Sequence, residues 1–144
     1  MDKTEYYLNI AKEICKKSTC LRRQFGAVLV KNDEIISTGY TGAPRGAKHC
    51  SNIGCARMNV PHGTHYELCR SVHAEMNAII SARRQDMIGA TLYLYGEENG
   101  NNTDVWCCEM CKRIIINAGI EYVVCGNKNH EFKVYEVSNW IKDI

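Results

Sequence analysis

Apolar positions along the chain mark out most of its elements. Tyr7, Ile10, Ala11, Ile14 and Cys15 recur at helical intervals behind Asp2 and Glu5, which stand at capping-box spacing, so the chain opens with a scaffold helix. Ala27-Val28-Leu29-Val30 and Ile35-Ile36-Ser37-Thr38 flank the polar Lys31-Asn32-Asp33-Glu34 and predict a β-hairpin. A helix beginning near His73 is expected to bury Met76, Ile79 and Ile80. The β-rich Ala90-Thr91-Leu92-Tyr93-Leu94-Tyr95 follows at a distance that suits the right-handed crossover of a βαβ unit. Another helix starts at Cys108 and stops at Gly119, a residue suited to the left-handed turn that ends helices. Ile120 to Cys125 then reads as a strand, Phe132 to Val137 as a last edge strand, and Ser138 to Lys142 as a terminal turn or short helix whose Trp140 and Ile141 need a surface to bury against. A helix, a hairpin and then alternating helix and strand predict an α/β fold, a three-layer α/β/α sandwich, with residues 1–144 as a single domain.

Three stretches fall outside that periodicity. Gly39 to Gly46 is a glycine-rich loop leaving the hairpin, where backbone can approach a ligand closely. From His49 to Cys69 the chain carries His49, Cys50, Cys55, His62, His65 and Cys69, and a segment with so little pattern needs a staple to stay ordered. Gly96 to Trp106 is an acidic, amide-rich link.

Composition narrows the setting. A chain of 144 residues buries about two thirds of its unfolded surface in one core, so it needs no disulfide scaffold despite nine cysteines. Met1 to Glu5 is charged and leads into no apolar signal region, and no run approaches the roughly 18 apolar residues of a membrane span. A cytoplasmic protein is expected, where cysteines serve as ligands or buried thiols more often than as disulfides. An odd number of them agrees. A net charge of +2 is too weak to indicate a polynucleotide partner, though a few local cations suffice for one phosphate.

The candidate chemistry lies in His73-Ala74-Glu75 and Cys108-Glu109-Met110-Cys111. One imidazole and two thiols three positions apart supply three zinc ligands and leave a fourth position open, which separates a catalytic zinc from a closed structural one. Zinc of that kind activates water near neutral pH, and Glu75 is the group to move its protons. His73 and Glu75 point roughly 200° apart on a regular helix, so they cannot share a side. They can share a helix end, with Ser71 as a cap. Cys108 and Cys111 occupy the first turn of the later helix, so two helix N-termini converge on the metal and favour thiolate. Cys107 is an alternative partner for Cys111, but the two-residue gap favours Cys108 and leaves Cys107 in the core, with Cys15 and Cys125. Arg22 or Arg23, ahead of the first strand, offers a fork of donors matched to phosphate. Ordinary solvated charge is the other reading of that pair. Arg45 adds a cation to the glycine-rich loop.

His-x-Glu followed by Cys-x-x-Cys at this distance resembles the zinc-dependent cytidine and deoxycytidylate (dCMP) deaminases. Thr38-Gly39-Tyr40-Thr41-Gly42-Ala43-Pro44-Arg45-Gly46, Glu67 to Glu75 and Ser18-Thr19-Cys20-Leu21-Arg22-Arg23 are similar to the dCMP branch, and the likeness runs from about Tyr7 to Val124. The resemblance implies a sandwich of the cytidine deaminase type with a mixed five-stranded sheet, a catalytic Zn2+ on His73, Cys108 and Cys111, and Glu75 as proton carrier. It implies hydrolytic deamination of a cytosine nucleotide, dCMP to dUMP with release of ammonia, in a homo-oligomer with dCTP and dTTP as effectors. Arg22, Arg23, Thr41, Arg45 and the backbone N–H of Ala74 become substrate-binding candidates, Thr41 standing where relatives carry an Asn associated with the sugar. A second, non-catalytic zinc is implied on Cys20, Cys50, Cys55 and Cys69. Most relatives reach the zinc cysteines through a shorter link ending in Pro-Cys; here Cys107 takes the proline's position, and the longer link is expected beside the metal, with Trp106 over the base or filling a gap. A tRNA adenosine deaminase-like enzyme, a nucleoside deaminase and a zinc-stapled nucleotide-binding module without catalysis remain as alternatives. Glu75 argues against the last, because a structural zinc has no use for an acid at that spacing.

Overall fold

The computed structural model describes residues 2–56 and 69–144. Asp2 caps α1 (Lys3–Cys15), its carboxylate accepting the Glu5 amide proton at 2.8 Å, as the spacing predicts. β1 (Gln24–Lys31) and β2 (Glu34–Tyr40) form the expected hairpin, and a short helix, α2 (Cys50–Ile53), follows further along the chain. Asn32 (φ 53°) and Asp33 (φ 62°) both adopt the left-handed conformation that suits a two-residue turn between twisted strands.

On its other side β1 pairs antiparallel with β3 (Thr91–Glu98), which runs parallel to β5 (Tyr122–Gly126); β5 in turn pairs antiparallel with the edge strand β6 (Phe132–Glu136). The sheet order is β2-β1-β3-β5-β6, the mixed sheet expected, with a short sixth strand, β4 (Asn101–Asn102), bonded to the end of β3. The helical connection from β2 to β3 does join parallel strands, but β1 lies between them. The adjacent parallel pair is instead β3 and β5, bridged by α5 (Glu109–Ala118).

Successive residues of a strand point to opposite faces, and β1 is buried on both. Val28 and Val30, with Tyr93, Tyr95 and Val124, meet Tyr7, Ala11 and Cys15 of α1. Ala27 and Leu29, with Leu92, Leu94 and Val123, meet the other layer, built from α3 (Ala74–Ile80), α4 (Arg84–Met87), α5 and the start of α6 (Val137–Lys142). That two-sided burial is why the strands read as unbroken apolar runs. Trp140 finds its surface against Tyr135, with ring centroids 6.1 Å apart, while Ile141 stays 56% exposed. No helix among the described residues is long and apolar enough to cross a membrane.

Two expectations fail for identifiable reasons. α3 buries Ala74, Glu75 and Ala78, whereas Met76 and Ile79 are half-buried and Ile80 is 68% exposed. This helix lies so close to β2 that a Cβ on Gly39 would come 2.4 Å from the Ala74 carbonyl oxygen and 2.5 Å from the Ala78 nitrogen. Only small side chains fit that face. Two hydrogen bonds fix the approach: Ser37 Oγ donates to the Ala78 carbonyl at 2.6 Å, and Asn77 Nδ2 donates to the Tyr40 carbonyl at 2.8 Å. Gly39→Ala is therefore expected to destabilise the protein by about 1–3 kcal/mol, the usual range for overpacking, and to weaken metal binding by displacing the start of α3. Urea unfolding and metal titration of the variant check both.

The second concerns Gly96 to Trp106, which is not an open loop. β3 continues to Glu98, turns through Asn99 (φ 54°) and Gly100 (φ 80°), and returns as β4, with Glu97 opposite Asn102 and Glu98 opposite Asn101. Asn102 Nδ2 then donates to the Asn127 carbonyl at 2.8 Å, and Asp104 Oδ1 accepts the Lys128 amide proton at 3.0 Å, tying the hairpin to the turn after β5.

Candidate metal centre and its cavity

Both helices that carry the zinc motifs begin at a motif residue. His73 is the N-cap of α3 (φ −67°, ψ 153°), in place of the expected Ser71, whose hydroxyl oxygen is buried without a hydrogen-bond partner among the described residues. Cys108 is the N-cap of α5, and its sulfur accepts the Cys111 amide proton at 3.3 Å. Extended backbone at an N-cap turns the side chain back across the helix end, which lets residues on two separate helices meet. The approach to His73 is anchored by paired backbone bonds between Gly42 and Val72, at 3.2 and 2.7 Å. The glycine-rich loop is held in turn by Ser18 Oγ donating to the Thr41 carbonyl at 2.6 Å.

His73 Nδ1 lies 3.2 Å from Cys111 Sγ and 3.7 Å from Cys108 Sγ, and the three ligand atoms fall within 4.8 Å of one another. Zinc bonds of about 2.3 Å to sulfur and about 2.0 Å to nitrogen, at tetrahedral angles, separate neighbouring N and S ligands by about 3.6 Å. The two distances straddle that value, so the donor set fits zinc. Among the described residues no other three His, Cys, Asp or Glu side chains come that close.

The thiols are already polarised for a metal. The hydrogen bond from Cys111, joined by one to His73, pulls the Cys108 thiol down to about 4 against the opposing effect of burial. Cys111 moves the other way, raised by the bond it donates to Cys108 and by its own burial. Of the two, Cys108 is the thiol that these surroundings favour as thiolate. Glu75 is 2% exposed, and burial raises its carboxyl above the usual carboxylate range, while its own backbone N–H and His73 favour the charged form. It stands beside the three-ligand group and outside it.

Cys107 is a core thiol, as its spacing suggests. It is 6% exposed in the apolar cluster that also holds Cys125, and its hydrogen bond to Cys125, together with burial, raises it well above the ordinary thiol range. Cys107→Ala is expected to keep the full metal complement and to lose about 1 kcal/mol of stability, the scale of one buried group; metal analysis and a melting curve test this.

One cavity opens onto the centre, lined by His73, Glu75 and Cys108. Among the substrate-binding candidates, Arg22, Arg23 and Thr41 line it as well. Ala74 is fully buried as the first residue of α3. Arg45 does not join them: it is exposed and absent from the cavity wall, because the loop turns outward after the Gly42–Val72 pairing. Cys20, Cys50, Cys55 and Cys69 all line the cavity, but no three of them come within the ligand spacing seen at His73, so they do not form a second metal cluster in this arrangement. His49 is exposed, and His62, His65, Glu67 and Leu68 lie outside the described residues.

Sequence reasoning missed part of the wall. Phe25, Glu98 and Arg70 face the cavity, and Trp106 carries Arg23 on its ring, the guanidinium carbon 4.4 Å from the centroid. Asn99-Gly100 was the available signal, being a strong hairpin turn pair that would have brought Glu98 and its neighbours back over the site.

Three ligands leave a tetrahedral metal one position for water, with a buried acid alongside; such a centre is of the zinc hydrolase kind and not a structural clasp. Residues 1–127 match the family described as the cytidine and deoxycytidylate deaminase zinc-binding region, and the chain belongs to that family. It is 41% identical over 130 residues to the deoxycytidylate deaminase of Mycobacterium phage D29, covering 85% of this chain and 93% of that protein. It is 36% identical over 125 residues to the deoxycytidylate deaminase of Schizosaccharomyces pombe, covering 83% of this chain but only 35% of that longer protein. The crystal structure of dCMP deaminase from the cyanophage S-TIM5 in complex with dCMP and dUMP superimposes with a TM-score of 0.60 at 24% identity, over 85% of this chain and 81% of that one, which establishes a shared fold.

Proposed function

We propose that this protein hydrolytically deaminates a cytosine nucleotide, converting dCMP and water to dUMP and ammonia. The observation that carries the reading is Glu75, a carboxyl 2% exposed at the start of α3, beside the His73, Cys108 and Cys111 group without belonging to it. Burying an acid costs free energy, and a structural metal site gains nothing from one at that place. Support for the substrate comes from the phage and yeast relatives, both deoxycytidylate deaminases.

Zinc held by His73, Cys108 and Cys111 supplies, when bound, the Lewis acidity that makes water nucleophilic near neutral pH. Glu75 takes the proton that the attacking water gives up and hands it to N3 of cytosine as oxygen bonds to C4. It then passes the water's second proton to the amino group, which leaves as ammonia while the C4 carbonyl forms. A carboxyl whose proton affinity is raised by burial suits that shuttle. The Ala74 amide belongs to the first turn of α3, whose N–H groups have no partner within the helix; it serves as a donor to the base. Thr41, on the cavity wall, faces the sugar.

A cytoplasmic setting, self-association and control by dCTP or dTTP complete the reading. Exposed Phe132 and Val134 on the edge strand β6, with Ile141 on α6, support self-association. In the assay, dCMP, CMP, deoxycytidine and dCTP are each incubated with the protein and the fall in cytosine absorbance is followed. The fastest turnover is expected on dCMP, and silence on all four sinks the reading.

A further inference from the structure

We propose that Glu98, on the β3–β4 hairpin, is a specificity-determining residue whose carboxylate limits the substrate to a single phosphate and turns away nucleoside diphosphates. The inference rests on the nucleotide reading above and adds what separates a monophosphate from a more highly charged nucleotide.

The physical case is a count of charges on the cavity wall. Among the described residues Arg22, Arg23 and Arg70 line it, and against them stand two carboxyls, Glu75 and Glu98. Glu75 stands beside the metal ligands and serves the base. Glu98 Oε2 lies 3.6 Å from Arg23 Nε, with its side chain 43% exposed, so it is paired and still open to the cavity. Three guanidinium charges against the one on Glu98 leave a surplus of two positive charges, which matches a phosphate monoester of about −1.5 to −2 at pH 7. A second phosphate brings negative charge that this wall does not balance. Whichever arginine takes the first phosphate, Glu98 repels the excess, and discrimination commonly rests on such a repulsive group.

Strand alternation explains why this carboxylate and not its neighbour faces the site. Successive side chains of β3 point to opposite faces: Leu92 and Leu94 meet the layer of α3 and α5, whereas Tyr93 and Tyr95 meet α1. Glu97 falls on the Tyr95 side, where it accepts from the Tyr95 hydroxyl at 3.2 Å. Glu98 falls on the side of the metal centre. The turn at Asn99 and Gly100 sets it opposite Asn101, and Asn102 Nδ2 ties the returning strand to the Asn127 carbonyl at 2.8 Å. The Trp106 ring lies 4.4 Å from the guanidinium carbon of Arg23, so both members of the pair are held. A charge fixed in this way cannot swing aside for an unwanted anion.

The test compares kcat/KM for deoxycytidine, dCMP and dCDP in the zinc-loaded wild type, Glu98→Gln and Asp104→Asn. Asp104 is exposed on the segment that follows β4 and absent from the cavity wall. Calorimetric binding of dUMP and dUDP to the same proteins gives a readout that needs no turnover. Glu98→Gln is expected to raise the dCDP-to-dCMP ratio at least about ten-fold, the scale of one unbalanced charge at close range, and to tighten dUDP more than dUMP. Deoxycytidine, which carries no phosphate, should stay near wild type. Asp104→Asn should leave the ratio unchanged, because the charge it removes lies outside the cavity. In the wild type the preference for dCMP should narrow as salt is added, since a half-exposed charge is screened. A wild type that accepts dCDP as readily as dCMP, or an unchanged ratio in Glu98→Gln, overturns the assignment. So does an equal shift in Asp104→Asn, which makes the effect one of overall charge, or a loss on deoxycytidine as large as on dCMP in Glu98→Gln, which places Glu98 with the base or the fold. A wild type that neither turns over dCMP nor binds dUMP instead overturns the functional reading itself.

Discussion

Glu75→Gln is expected to lower turnover by about 10²–10⁴-fold, the range that general acid–base catalysis supplies, while zinc content and melting temperature stay near wild type. The amide keeps the shape of the carboxyl and can still hydrogen-bond, but it cannot carry a proton between water and base. Glu75 is outside the group formed by His73, Cys108 and Cys111, so metal affinity should be spared. The replacement also removes an acid that burial holds in an unfavourable place, so stability should hold or rise slightly. Retained activity at full zinc occupancy contradicts the assignment.

Cys111→Ser is expected to do the reverse and empty the centre. Cys111 is fully buried, 3.2 Å from His73 Nδ1, and a hydroxyl there is a poor zinc ligand that cannot ionise as a thiol does. Zinc content measured after purification should fall from about one per chain toward none, and turnover should disappear with it. The protons point to a companion effect. Zinc binds thiolates, so the proton favoured on the raised Cys111 thiol must leave when the metal binds, and metal affinity in the wild type should weaken as pH falls. Zinc bound equally well at low pH, or retained by the serine variant, contradicts the ligand assignment.

The chemistry was unusually legible in the chain because spacing alone constrains it. Two cysteines three residues apart can chelate from a single turn, and a histidine two residues before an acid can face the same site only at a helix end. The helix start was read near His73, where it lies, but its cap was placed two residues early, at Ser71 instead of His73, because a serine is the commoner cap and nothing in the local pattern shows that the histidine takes its place. Met76, Ile79 and Ile80 were expected inside for a related reason. Hydrophobicity marks a helix face, but the close approach at Gly39 admits only alanine-sized groups.

Local sequence determined the elements and the hairpin turn at Asn32 and Asp33, since each rests on interactions between residues only a few positions apart, and motif spacing singled out His73, Glu75, Cys108 and Cys111, which the fold brings together from two separate helix starts. Tertiary structure alone decided which cations reach the cavity. Arg45 was left exposed, Arg23 was drawn onto Trp106, and Cys20, Cys50, Cys55 and Cys69 came to line the cavity with no three of them at metal-ligand spacing. Those outcomes depend on how β3, its hairpin and the glycine-rich loop pack around one another, and contacts between segments many residues apart leave no periodic trace in the chain.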